Sequence, residues 1–137
     1  MVYQLSRPRG LRNNNAGNIR HGDDWIGMSV LQLDPSFVTF KNEKFGIRAM
    51  TRILNNYRDK YGLVTVADII SRWAPAVEND TNSYIFQVSK KLNVSPYTMI
   101  DTRNSETMQT LIESIIYHEN GSQPYSIEVI QDGMSLA

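Results

Sequence analysis

Glu119 is the residue whose position packing alone explains least. Met108, Leu111, Ile112, Ile115 and Ile116 recur at three- and four-residue steps, the spacing of one helix face. Eleven residues separate Met108 from Glu119, almost a whole number of turns at about 3.6 residues per turn. A carboxylate therefore stands where the pattern asks for Leu or Ile. It also falls in the final turn, where unpaired carbonyls make the field negative. That field and burial against apolar neighbours both favour the protonated form. A carboxylic acid held protonated near neutral pH suits glycosidic cleavage, in which the leaving oxygen must receive a proton as its bond breaks. The plainer reading is a solvated helix end, or an ion pair with Arg12 or Arg20.

Several elements must position that carboxyl. Residues 7–24 are rich in Pro, Gly and Asn and read as an ordered loop, since Asn and Gly tolerate left-handed backbone and Asn side chains bond nearby amides. Residues 25–32 and 37–40 carry aromatic and β-branched side chains around Asp34-Pro35-Ser36, which predicts a short β-hairpin and the only sheet. Over 45–57, Ile47, Met50, Ile53, Leu54 and Tyr57 mark one helical face, ended by Gly62. Thr65 caps a helix running to Trp73, with Val66, Ile69, Ile70 and Trp73 inward and Pro75 as its stop. Asp80 or Thr81 starts the next, with Tyr84, Ile85, Val88 and Leu92 inward. Asn104 or Ser105 opens the longest pattern, closed by Gly121 and Pro124. The tail, 125–137, holds one more helical turn before Gly133. The fold class is mainly α (α+β), with residues 1–137 forming one domain.

Composition narrows the chemistry. The 137 residues are 41% hydrophobic and 20% charged, with 14 basic and 14 acidic side chains, so neither disorder nor a polyelectrolyte partner is signalled, and nucleic acid is not expected. There is no cysteine, which removes disulfides and a thiol nucleophile. His21 and His118 are too few for a three-His zinc site, and no phosphate loop or nucleophile elbow is present, so neither metal nor cofactor is expected. The start, MVYQLSRPRGLRNNN, lacks the apolar core of a signal peptide, and no segment is long enough for membrane insertion.

Four segments carry a resemblance: Arg9-Gly10-Leu11-Arg12-Asn13-Asn14-Asn15-Ala16-Gly17-Asn18-Ile19-Arg20, Phe45-Gly46-Ile47-Arg48-Ala49-Met50, Arg72-Trp73-Ala74-Pro75 and His118-Glu119-Asn120-Gly121. Together they resemble a family of small phage and prophage muralytic proteins, often labelled virion structural proteins, similar to lysozyme-superfamily domains and lytic transglycosylases. Ala16 departs from the Pro usual in that family, which loosens the loop and removes no reactive group. His118-Glu119-Asn120-Gly121 is similar to the transglycosylase Glu-Ser-Gly motif, and Glu78-Asn79-Asp80-Thr81-Asn82-Ser83-Tyr84-Ile85 to its later Glu-Thr and Tyr-Val motif. The order is reversed, so the resemblance implies a circularly permuted, lysozyme-like domain.

It also implies cleavage of peptidoglycan glycan strands between N-acetylmuramic acid and N-acetylglucosamine, with Glu119 as general acid and base. The protein would act as a monomer in a phage virion, beside virion components, or in the host cytoplasm before release to the periplasm and cell wall. Tyr84 follows as its catalytic companion, the hydroxyl reaching Glu119 or the sugar, although a core tyrosine fits the same apolar face. Asn14, Asn15, Asn18 and Arg20 are candidates for N-acetyl and hydroxyl groups, with turn formation the alternative for each Asn. Trp25 stacks on a sugar or simply packs. One carboxyl suffices for a lytic transglycosylase, whereas a hydrolytic muramidase needs a second, such as Asp34, Asp23 or Asp24. Asp34 is otherwise a turn residue. Glu43, Glu78 and Asp80 read as capping and solvated groups. A non-catalytic virion structural or wall-binding module is the remaining alternative.

Overall fold

Five helices begin on a side chain that takes up a free backbone N–H: Asn42, Thr65, Asp80, Asn104 and Ser126 accept from Lys44, Asp68, Ser83, Thr107 and Val129. They follow a single turn of helix, and the computed structural model, which describes residues 7–137, thus runs α1 (Arg9–Arg12), α2 (Glu43–Asp59), α3 (Val66–Trp73), α4 (Thr81–Leu92), α5 (Ser105–Asn120) and α6 (Ile127–Ser135). Residues 1–6, the opening of the start read above as lacking a leader, lie outside the described residues. The chain is mainly helical, and no described helix is long and apolar enough to cross a membrane.

α5 is the central element. Leu111, Ile112, Ile115 and Ile116 are each 0% exposed, and each such burial is worth about 1.5–3 kcal/mol. The helix packs against α4 on one side and touches α1, α2 and α6. Asn93 and Gly121 end α4 and α5 in left-handed backbone, at φ 56° and 74°. Residues 74–79 follow the end of α3, and Thr81 bonds back to the Ala74 carbonyl at 2.6 Å.

Three sequence expectations are corrected. The segments 25–32 and 37–40 form no hairpin: the region holds only the isolated bridges Arg20↔Phe37 and Met28↔Phe40, and the third bridge, Thr65↔Met99, lies elsewhere. Ile26, Val30, Leu31 and Leu33 do not alternate into a core but are all exposed, and the Gln32 side chain takes both backbone groups of Thr39, accepting from its N–H and donating to its carbonyl at 2.8 Å each. Residues 9–12, read as loop, form α1, too short to show a period. The tail helix does not stop before Gly133 but runs through it, because a Cβ there would lie 2.6 Å from Ile47: glycine lets α6 lie close on α2.

Candidate active site

Two structurally unlike walls meet at Glu119. It is half-buried in the last turn of α5, and its Oε2 accepts a 2.8 Å hydrogen bond from the Tyr84 hydroxyl on α4. Its Oε1 accepts from Asn18 Nδ2 at 2.9 Å. Both carboxyl oxygens are thus held in place, one from each wall. A tyrosine hydroxyl accepts as well as donates, so the Tyr84 contact survives protonation of Glu119.

Tyr84 is itself fixed. It is 1% exposed, and the His118 ring stacks on it with centroids 3.7 Å apart and planes 23° apart. His118 Nδ1 lies 2.8 Å from Gln87 Oε1. Burial, followed by the neighbouring Glu119 charge and hydrogen bond, raises the Tyr84 phenol far above its usual value, so it serves as a hydroxyl and not as a base. Burial lowers His118, against the opposing pull of Glu119 and Asp80, which favours the uncharged ring near neutral pH. His118, next to Glu119 on the helix and so turned roughly 100° from it, braces Tyr84.

Asn18 reaches Glu119 from a loop with no regular structure. Its φ is 51°, in the left-handed region that Asn tolerates. Gly17 beside it leaves no room for a side chain, since a Cβ would come within 2.9 Å of both Met50 and Trp73. Asn120 ties the loop to α5, donating to the Ala16 carbonyl at 2.8 Å and the Ile116 carbonyl at 2.9 Å. Ala16, the departure from the family's Pro, is buried at this junction.

A cleft of about 380 Å³ opens beside Glu119, within the size range of small-ligand sites. Of the residues singled out from the sequence, Glu119, Asn18 and Arg20 line it, and Tyr84 stands behind Glu119. The others do not. Asn14, at φ 52°, donates to the Phe40 carbonyl at 3.1 Å. Asn15 is fully buried, with its amide donating to the Ile19 and Val38 carbonyls and accepting from the Ile19 N–H, so both its donors are spent and a sugar cannot reach it. Trp25 packs against the hydrophobic core and is not a cleft residue. Asp34 is gripped by Arg9 through two 2.6 Å bonds, by Asn13, and by the N–H groups of Ser36 and Phe37. Arg9 holds its carboxyl well below the usual carboxylate range. With its oxygens so committed and outside the cleft lining, Asp34 is a structural residue and not a second catalytic carboxylate. Asp23 and Asp24 do not line the cleft either.

The structure brings to the site residues that the sequence did not mark as site candidates. Phe37, Tyr57, Arg72, Trp73 and Glu78 line the cleft, and Glu78, read as solvated, pairs across it with Arg20 at 3.2 Å. Tyr57 and Trp73 meet edge-on with centroids 6.3 Å apart. The Arg72-Trp73-Ala74-Pro75 segment was one signal available, because it ends α3 at the cleft. Among the described residues no group of three or more His, Cys, Asp or Glu is arranged to hold a metal ion.

Fold and site define a mainly helical protein with a braced carboxyl at one helix end and a polar, aromatic cleft beside it. No family model matches the sequence. Protein P5 of Pseudoalteromonas phage PM2 is 46% identical over 129 residues, an overlap that spans 91% of this chain and 79% of that protein. The chain belongs to the family of that phage protein.

Proposed function

We propose that the chain is a peptidoglycan-degrading enzyme, a circularly permuted domain of the lysozyme superfamily, in which Glu119 protonates the glycosidic oxygen between N-acetylmuramic acid and N-acetylglucosamine. The observation that carries this is the placement of Glu119: a carboxyl at the end of a buried helix, lining a cleft, with both oxygens positioned by Tyr84 and Asn18. As the proton passes from Glu119 to the bridging oxygen, the bond from that oxygen to the sugar's C1 breaks. The same sugar's 6-hydroxyl then attacks C1 and returns its proton to Glu119, leaving an anhydro end. One carboxyl suffices, which makes a lytic transglycosylase the first reading. Hydrolysis would need a second carboxylate, and with Asp34 committed to Arg9 that role falls to Glu78, the other acidic side chain lining the cleft. Kinship with a phage protein supports a lysin carried in a virion or released through a phage-made hole.

The test treats purified peptidoglycan with the native chain and with Glu119→Gln and reads the soluble fragments by mass spectrometry. Release of glycan fragments is expected to fall at least about a hundredfold in the variant, the usual contribution of a general acid. Equal release by the variant overturns the assignment. Anhydromuramic ends identify the transglycosylase and reducing muramic ends the hydrolase. Peptides alone, or no release by the native chain, reject glycan cleavage and leave a wall-binding or virion structural module.

A further inference from the structure

Among the described residues, the cleft contains one cation without a counter-charge. Its charged lining groups are Arg20, Arg72, Glu78 and Glu119. Glu78 answers Arg20 at 3.2 Å, and Glu119 is held by the neutral Asn18 and Tyr84. No carboxylate lies within ion-pair distance of Arg72 among the described residues, and all 14 acidic residues of the sequence are among them. Whenever Glu119 carries the proton that cleavage requires, the cleft is therefore net positive, in a chain whose formal charge is zero.

Arg72 is also oriented. Its guanidinium lies 3.9 Å above the Tyr61 ring and 5.5 Å from the Tyr57 ring. Stacking occupies the flat face of the group and leaves its N–H donors on the edge, the geometry that takes a carboxylate through two parallel hydrogen bonds. The side chain is exposed, and the protein groups that meet it, the Tyr57 and Tyr61 rings and the Tyr57 hydroxyl, are neutral, so an incoming anion would meet no competing negative charge.

We propose that Arg72 is the anion-receiving side chain of the cleft and that the strand bound there is a carboxylated glycan, distinguished from a neutral one of the same backbone. This rests on the reading of the cleft as a glycan site. Peptidoglycan offers such carboxylates from two sources, the peptide stem and, once the stem is removed, the lactyl group of muramic acid.

The test measures binding of the full chain carrying Glu119→Gln, which holds strands without cutting them, to three soluble glycans. These are stem-bearing strands, stem-free strands with free lactyl carboxylates, and stem-free strands whose carboxyls have been reduced to alcohols. Reduction is expected to weaken binding about tenfold or more, the worth of a charge-assisted hydrogen bond. Adding Arg72→Gln should abolish the difference between charged and reduced strands, and Arg72→Lys should restore part of it, since lysine keeps the charge without the fork. Tighter binding of the stem-bearing strand places the carboxylate on the peptide, and tighter binding of the stem-free strand places it on the lactyl group. Binding of the reduced strand equal to that of both carboxylated strands overturns the proposal while leaving the glycan reading intact. A charge preference that survives Arg72→Gln also overturns it, because another group would then be the receiver. No binding to any strand overturns both. The comparison among strands is made with Arg72 present, so it stands even if an Arg72 variant folds poorly.

Discussion

The two walls that meet at Glu119 are built on opposite principles. The helical wall, α3 to α5, is held by apolar side chains repeating at the helix period, and its central residues are completely buried. The loop wall, residues 13–42, is held by polar side chains that stand in for backbone partners: Asn14, Asn15, Gln32 and Asp34 each bond to the main chain. The helical wall supplies the carboxyl and the tyrosine behind it, and the loop wall supplies the amide that fixes the other oxygen. An irregular segment can thus be as tightly specified as a helix, provided each buried backbone group finds a side-chain partner.

If that is right, a polar residue of the loop should matter as much as an apolar residue of the helix. Asn15→Ala removes three hydrogen bonds and leaves the Ile19 N–H without its acceptor, so it is expected to cost about 3 kcal/mol or more. Ile112→Ala, which empties a fully buried site on α5, is expected to cost about 2–5 kcal/mol. Urea unfolding of the two variants makes the comparison. A cost for Asn15→Ala below about 0.5 kcal/mol, the range of an ordinary surface change, would show that the loop is held by something other than its amides.

The same contrast explains what the sequence revealed. The helix starts at Thr65, Asp80 and Asn104 were legible because a cap bonds only a few residues ahead, and the α5 stripe exposed Glu119 because a period is local. The role of Asn15 was not legible, since its partner Val38 lies 23 residues away and an Asn in a turn looks the same whether it faces a sugar or a carbonyl. The turn role of Asp34 was legible, since it accepts from Ser36 and Phe37 close by, but its pairing with Arg9, 25 residues away, was not. Gly133 looked like a helix stop, and only the approach of Ile47 shows why α6 runs through it. Arg72 and Glu78 belong to the cleft through the packing of α3 and the turn after it, which no single helix's period records.

Acid separates the walls next. Asp34 has a folded-state pKa held below its unfolded value of about 3.9 by Arg9, so its contribution to stability is present above that value and is lost as pH falls below it. The buried stripe of α5 contains no such group. Below about pH 4, amide hydrogen exchange is expected to quicken in residues 13–40 before it does in the centre of α5. Asp34→Asn should lower the melting temperature at pH 7 and flatten its decline into acid. Simultaneous loss of protection in both walls would mean that they unfold as one unit and that the Arg9–Asp34 pair does not set the acid limit of the loop.

Tyr84→Phe is the mildest of these changes and probes the helical wall at the point where it serves the site. The ring and its stacking on His118 remain, and only the hydroxyl bonded to Glu119 is lost, so the stability change is expected to be about 1 kcal/mol. Because Tyr84 is buried behind Glu119 and does not line the cleft, substrate binding should be preserved. Freed of one of its two holders, the carboxyl should lose its fixed angle to the bridging oxygen, lowering kcat about tenfold, the rate equivalent of one net hydrogen bond, at unchanged KM. A residue important only for packing would instead lower the melting temperature and leave kcat alone. If Tyr84→Phe retains full kcat, orientation of the acid belongs to the loop wall alone, through Asn18, and the helical wall contributes the carboxyl without aiming it.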